Sequence, residues 1–261
     1  PGDAVLDLCS APGSKTCQLL DAMAAGAAPC GALPPGLLVA NELCPERAAR
    51  LWSRAKWQPC AHLLVTVADA SSFPALCSGF DRILADVPCS SDGTVRKERK
   101  RLERWSVHSA LRHHGLQLSI LRRGLELLRP GGRLVYSTCS LNPLEDEAVV
   151  RSALLTANAG AREHCEFALV PAEEALPAGC PRGLPGLETW CVPDPAFETS
   201  GLMFASPQEL PEALRAELPE SLFPGSPNEA HRLGLRHCAR LLPTSGSHLG
   251  GFFLAVIARR P

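Results

Sequence analysis

Two cysteine-bearing segments fifty residues apart carry side chains suited to covalent chemistry: Asp86-Val87-Pro88-Cys89-Ser90 and Tyr136-Ser137-Thr138-Cys139-Ser140. Two thiols and an acid suit a reaction in which one sulfur attacks and another group removes a proton. A third segment, Cys9-Ser10-Ala11-Pro12-Gly13-Ser14-Lys15, places a Gly-Ser turn ahead of helix-like sequence. Amides at such a helix start let an anionic or carbonyl-bearing ligand approach closely. The segment lacks the G-x-G-x-x-G spacing of a dinucleotide loop, so it reads either as a tight turn or as a loop for another cofactor. Asn41-Glu42 and Asp69 follow two further strand-like runs. Each acid alone suits capping. Three acids in order after successive strands suit a ribose diol (Glu42), an adenine amino group (Asp69) and the reacting centre (Asp86).

Each segment directly follows a short apolar run, which predicts loops at the carboxyl ends of parallel strands and hence one site at one sheet edge. Strands are expected at residues 5–8, 36–40, 62–67, 80–85 and 133–137. Helices are expected at 16–25, 45–56, 105–128 and 145–156, the long one ending at Pro130-Gly131-Gly132. The βαβα rhythm predicts an α/β fold with a doubly wound, mostly parallel, Rossmann-like sheet. Residues 1–170 are expected to form the catalytic core. Prolines crowd 171–227, which reads as a surface excursion or a partly ordered insertion. Residues 228–261 supply a helix over 231–242 and a final strand over 250–257, expected antiparallel at the sheet's far side.

The 261 residues are 46% hydrophobic and 20% charged, enough for a real core and too apolar for a disordered chain. A formal net charge of −1 does not announce a nucleic-acid partner. Locally, Arg96, Lys97, Arg99, Lys100 and Arg101 put five positives in six residues, beginning seven positions after Cys89. Such a run reads as a solvated helix start or, beside a reactive cysteine, as a phosphate contact. The twelve cysteines form no C-x-x-C pair, and the sequence shows neither a glycosylation site nor an apolar run near 18 residues. A reducing compartment fits, with no membrane and no metal: no His/Cys set has zinc-site spacing. The chain opens at Pro1 just ahead of a strand, and a fragment lacking its N-terminal part is expected.

The three motif blocks Asp7-Leu8-Cys9-Ser10-Ala11-Pro12-Gly13-Ser14-Lys15-Thr16, Asp86-Val87-Pro88-Cys89-Ser90-Ser91-Asp92-Gly93-Thr94 and Tyr136-Ser137-Thr138-Cys139-Ser140-Leu141-Asn142-Pro143 resemble the signatures of the Sun-type RNA cytosine-5 methyltransferases. His114-Gly115-Leu116-Gln117-Leu118, Asn142-Pro143-Leu144-Glu145-Asp146-Glu147, Leu184-Pro185-Gly186-Leu187 and Gly250-Gly251-Phe252-Phe253 resemble the eukaryotic tRNA branch. The resemblance implies that S-adenosyl-L-methionine is the cofactor and that RNA, foremost tRNA, is the partner, with the enzyme a monomer. Localisation to the nucleus or nucleolus goes with the branch, with cytoplasm as the alternative.

The resemblance also assigns roles. Cys139 would attack carbon 6 of cytosine, making carbon 5 nucleophilic enough to take a methyl group. Asp86 would stabilise the adduct near N3, and Cys89 would assist release. Residues 9–15 would line the methionine and ribose end of the cofactor, with Glu42 on the ribose, Asp69 on adenine and Asp86 facing cofactor and base. Arg96, Lys97, Arg99, Lys100 and Arg101 would grip RNA. Two departures stand out: Ser91 replaces a usual glycine, and Glu42 stands where the tRNA branch usually has Asp. A paralogue retaining the motifs as a binding scaffold, and an amine or protein methylase on the same fold, are the competing readings. Neither requires both thiols.

Overall fold

The first half of the chain alternates strands and helices in order: β1 (Ala4–Asp7), α1 (Ser14–Ala25), β2 (Leu37–Glu42), α2 (Pro45–Ala55), β3 (Leu63–Val67), β4 (Phe80–Asp86), α3 (Lys100–Glu103), α4 (Val107–Leu127), β5 (Leu128–Thr138) and α5 (Glu147–Ala157). The remainder supplies β6 (Phe167–Val170), α6 (Ala172–Ala175), β7 (Leu184–Pro185), β8 (Val192–Pro193), α7 (Phe197–Ser200), β9 (Met203–Phe204), α8 (Pro227–Leu233), β10 (Ala239–Leu241) and β11 (Phe252–Arg259). This computed structural model describes residues 2–25, 35–58, 62–76, 78–103, 105–159, 166–177, 179–180, 183–243 and 250–261, with 101 and 102 described by backbone alone.

The main sheet runs β3-β2-β1-β4-β5-β11-β10-β7, with β6 also on β11. The first five strands are parallel; β11 is antiparallel to β5, pairing Phe253 with Thr138 and Ile257 with Leu134. The expected α/β class and parallel core are present. Strands β1 and β2 read as nearly unbroken apolar runs because helices cover both faces. The strand order reverses between β1 and β4, which stay parallel, so their carboxyl ends flank a crevice at the switch point. Asp7 lies opposite Leu84 across one side of it, and Asp86 lies opposite Ser137 on the other.

The long helix α4 seats Leu118, Leu121 and Leu125 on the sheet. At Gly124 it comes so close that a Cβ would lie 2.6 Å from Leu134 Cδ1. It ends at Leu127, and β5 begins at once. Pro130-Gly131-Gly132, expected to end the helix, instead lies inside this 11-residue strand, where the pairing with β4 shifts register between Phe80 and Arg82. The expected helix over 231–242 stops at Leu233, because Gly234 adopts φ +72° and turns the chain into β10. The final strand β11 lies inside the sheet between β5 and β10 rather than at its far side.

The Pro-rich segment packs into the main core. Trp190, Val192, Phe204, Leu210, Leu218, Leu222 and Phe223 are buried in the same hydrophobic cluster as Leu121 and Val149. Trp190 Nε1 donates to Leu222 O at 2.7 Å, satisfying the indole as its ring is buried.

Candidate active site

Strands β4 and β5 end side by side, so the loops that follow them meet. Cys89 Sγ and Cys139 Sγ lie 3.4 Å apart. Thiols at this distance share a proton: the ionised sulfur accepts from the other. Cys139 is therefore held below the ordinary thiol range, chiefly by the hydrogen bond from Cys89, against the opposing effect of burial. Cys89 is pushed up, first because it donates that bond and then by burial. Cys139 is thus the more readily ionised of the two sulfurs, and Cys89 the one that keeps its proton longer.

Asp86 ends β4 beside them. Ser137 Oγ donates to its Oδ1 at 2.8 Å, and Lys15 Nζ contacts its Oδ2 at 2.7 Å. Lys15 also lies over the Phe252 ring, 5.2 Å from its centroid. The first motif thus reaches the thiol site through Lys15 and binds the three predicted loops into one constellation.

Between the two cysteine loops lies a group to which the sequence assigns no role. Glu145, fully buried, takes the Ser90 N–H at 2.8 Å and Gln117 Nε2 at 3.1 Å on Oε1. Its Oε2 takes Ser90 Oγ at 2.5 Å and Ser140 Oγ at 2.7 Å. Ser90 follows Cys89 and Ser140 follows Cys139, so one carboxyl group fixes both thiols. The backbone adds a second tie: Gly93 N–H donates to Cys139 O at 3.0 Å and Gly251 N–H to Gly93 O at 2.7 Å. A third is the Leu141 N–H donating to Asp92 Oδ1 at 2.7 Å. Ser91, where a glycine was expected, adopts φ +61°, a conformation that glycine takes without steric cost.

Beneath the site, Asp146 accepts from Thr138 Oγ1 at 2.6 Å and is raised well above the carboxylate range by burial. Glu147 pairs with Arg240 at 2.6 Å. Arg240 also donates to Leu141 O, anchoring the Cys139 loop from β10.

Residues 9–15 form the turn from β1 into α1. Gly13 takes φ +98° and donates to Ser10 O at 2.8 Å. Ser10 N–H donates to Asn41 O at 2.8 Å, while Asn41 Nδ2 reaches Leu8 O and Ala68 O, so the ends of β1, β2 and β3 are tied together. Cys9 is pushed up by burial, which fits packing rather than reaction. Glu42 is buried. Its Oε1 takes the Cys44 N–H and Arg47, and no hydrogen bond among the described residues engages Oε2. An open carboxyl oxygen of this kind at a strand end suits a hydroxyl donor such as a ribose diol. Asp69 is exposed and caps the turn after β3, accepting from Ser71 N and Oγ at 2.8 Å on Oδ1.

Arg96, Lys97, Arg99 and Lys100 are exposed on the segment leaving the Gly93 turn. The side chain of Arg101 lies outside the described residues. Among the described residues no group of three or more His, Cys, Asp or Glu side chains could hold a metal ion. None of their helices is long and apolar enough to cross a membrane.

The family model for the 16S rRNA methyltransferase RsmB/F matches residues 1–175. The chain belongs to the RsmB/F family. This is the Sun-type family that the three motif blocks resemble. The tRNA (cytosine(34)-C(5))-methyltransferase of Drosophila melanogaster is 41% identical over 276 residues, spanning 100% of this chain and 34% of that protein. The multisite-specific tRNA:(cytosine-C(5))-methyltransferase trm4b of Schizosaccharomyces pombe is 40% identical, spanning 99% of this chain and 40% of that protein. A methyltransferase homologue from Pyrococcus horikoshii shares the architecture with a TM-score of 0.63 at 25% identity, covering 100% of this chain and 62% of the solved one. The chain therefore spans between a third and two fifths of those two relatives. All three RsmB/F motif blocks fall within the matched residues, and the thiol pair they carry is joined in space by Glu145.

Proposed function

We propose that this chain is the catalytic domain of an S-adenosylmethionine-dependent RNA cytosine-5 methyltransferase acting on tRNA. The observation that carries the reading is the pair of thiols 3.4 Å apart beside Asp86. A fold that only binds RNA has no use for that arrangement.

Cys139 adds its sulfur to carbon 6 of the cytosine. The electron pair of the 5,6 double bond moves toward carbon 5, making an enamine-like ring. Asp86, aimed by Lys15 and Ser137, meets the ring near N3 and stabilises the adduct. S-adenosylmethionine, when bound, supplies the methyl group as a sulfonium electrophile. A base then takes the carbon-5 proton, the electron pair of that C–H bond re-forms the 5,6 double bond, and the carbon–sulfur bond breaks with its pair going to Cys139, which leaves as the thiolate. Cys89 assists this release at the same face. The residues fit the cofactor: Asp69 follows β3 for adenine, Glu42 at the end of the neighbouring β2 offers its open oxygen to the ribose, and residues 9–15, after β1 on the other side of β2, line the methionine and ribose end. The target base must leave its stack, a cost of a few kcal/mol that is least in loops and junctions. Arg96, Lys97, Arg99, Lys100 and Arg101 hold the backbone beside it.

The test is to incubate the full-length protein with unmodified tRNA transcripts and methyl-labelled S-adenosylmethionine, then separate the nucleosides. Label in 5-methylcytidine that is lost with Cys139→Ala supports the reading. Label in another nucleoside, or none with folded and cofactor-binding protein, contradicts it.

A further inference from the structure

Next to the thiols lies a cavity of about 340 Å³ that the reaction itself does not use. Its walls include Asn142 and Pro143, three and four residues beyond Cys139, and Asp92, three residues beyond Cys89. Three residues of extended chain reach at most about 11 Å, so the cavity adjoins the reacting centre. Trp190 forms a buried part of the lining, while Trp105 and Met203 are about half exposed at 48% and 52%. Phe197 completes an aromatic and thioether lining. The volume is at the low end for ligand pockets, the size for one planar ring system.

Charge identifies the occupant. Between the lining residues Asp92 and Trp105, the chain carries Arg96, Lys97, Arg99 and Lys100 at the surface. Aromatic faces beside a basic strip are what an unstacked nucleotide requires: stacking for the base and cations for the phosphate. When the target cytosine swings out toward Cys139, the neighbouring base loses a stacking partner. We infer that this cavity receives a nucleobase flanking the target cytosine, stacked against Trp105 and Met203. The inference rests on the RNA reading above and adds a second base-binding site to it.

The experiment first maps the methylated cytosine on a tRNA transcript. Short RNA hairpins are then made with that cytosine and either the natural base or an abasic sugar on each side. Wild-type full-length protein, Trp105→Ala and Trp105→Phe are compared by KM and kcat, with cofactor affinity and melting temperature recorded. Loss of one stacked base is expected to cost about ten-fold in kcat/KM. Trp105→Ala should show that loss, through KM, on the intact hairpin and no further loss on one of the abasic hairpins. Trp105→Phe should restore most of the affinity, with cofactor affinity unchanged in both variants. Independent, multiplying losses on both abasic hairpins would overturn the proposal, as would an unchanged KM for Trp105→Ala. An equal loss on every RNA, accompanied by a lower melting temperature, would make Trp105 a packing residue and overturn it too. Absence of methylation on the tRNA transcript by the wild type would instead remove the RNA reading on which it rests.

Discussion

Removing the carboxyl group of Glu145 should separate the two thiols. In Glu145→Ala, Gln117 Nε2 keeps Pro88 O at 2.9 Å, and Ser90 Oγ and Ser140 Oγ, 3.4 Å apart, can turn toward each other. The Ser90 N–H has no replacement, and an orphaned buried donor costs about 1–3 kcal/mol. The cavity left by the truncated side chain adds about 1–2 kcal/mol. A destabilisation of about 3 kcal/mol is expected, read from the denaturant midpoint at constant slope. Glu145→Gln keeps an oxygen for Ser90 N and Gln117 while its amide meets hydroxyls that can reverse their role, so a loss of about 1 kcal/mol is expected. Drift of a reacting atom by roughly 1 Å costs about 100-fold in rate. Methyl transfer should therefore fall about 100-fold in Glu145→Ala and about 10-fold or less in Glu145→Gln, with cofactor affinity unchanged. Glu145→Ala with wild-type stability and turnover would refute the reasoning that this group fixes both cysteine loops.

Alkylation of Cys139 by iodoacetamide should reach half its maximal rate below pH 8.5, the midpoint of a free thiol, because the Cys89 hydrogen bond favours the thiolate. Cys89→Ala removes that donor, so the midpoint should rise; mass spectrometry of the Cys139 peptide against pH checks the direction. Gly93→Ala would place a Cβ 2.6 Å from Gly251 O and 2.8 Å from Cys139 O, and should cost about 2 kcal/mol with impaired turnover. Gly115→Ala, with nothing within 4 Å, is the control and should stabilise α4 by roughly 0.5–1 kcal/mol in the same melt. Arg240→Met strands the buried Glu147 and Asp146 and should cost about 3–5 kcal/mol at pH 7. Asp146 already has a raised pKa, so it takes up protons in the fold before it does when unfolded. Stability of the variant should therefore recover as pH falls toward 5, as seen by urea melts across pH.

The parts legible in the sequence are those where a local pattern decides the structure. Short apolar runs followed by Gly, Pro or Cys-bearing turns gave β1, β4 and β5, and parallel pairing then forces their loops to one edge. Glu145, Asp146 and Glu147 were not legible in this way. Three acids ahead of an apolar run look like an exposed first helical turn, favoured by the helix dipole. Their burial depends on partners far away, with Arg240 lying 93 residues beyond Glu147. The available signal was that the stretch also opens on Asn142-Pro143, directly after the Cys139 motif. The Pro-rich segment misled for a related reason: its apolar residues have no period, because they reach the core from turns and short strands rather than from one helix face. Ser91 was legible as a departure, and the structure gives its physical meaning as a non-glycine residue in the left-handed region.

Attack by Cys139 with release by Cys89 implies a covalent intermediate that accumulates when release fails. Full-length Cys89→Ala protein, incubated with tRNA and S-adenosylmethionine, should form a protein–RNA adduct that survives a denaturing gel and vanishes in Cys89→Ala/Cys139→Ala. An adduct that persists without Cys139, or turnover by Cys89→Ala at the wild-type rate with no adduct, would contradict the account.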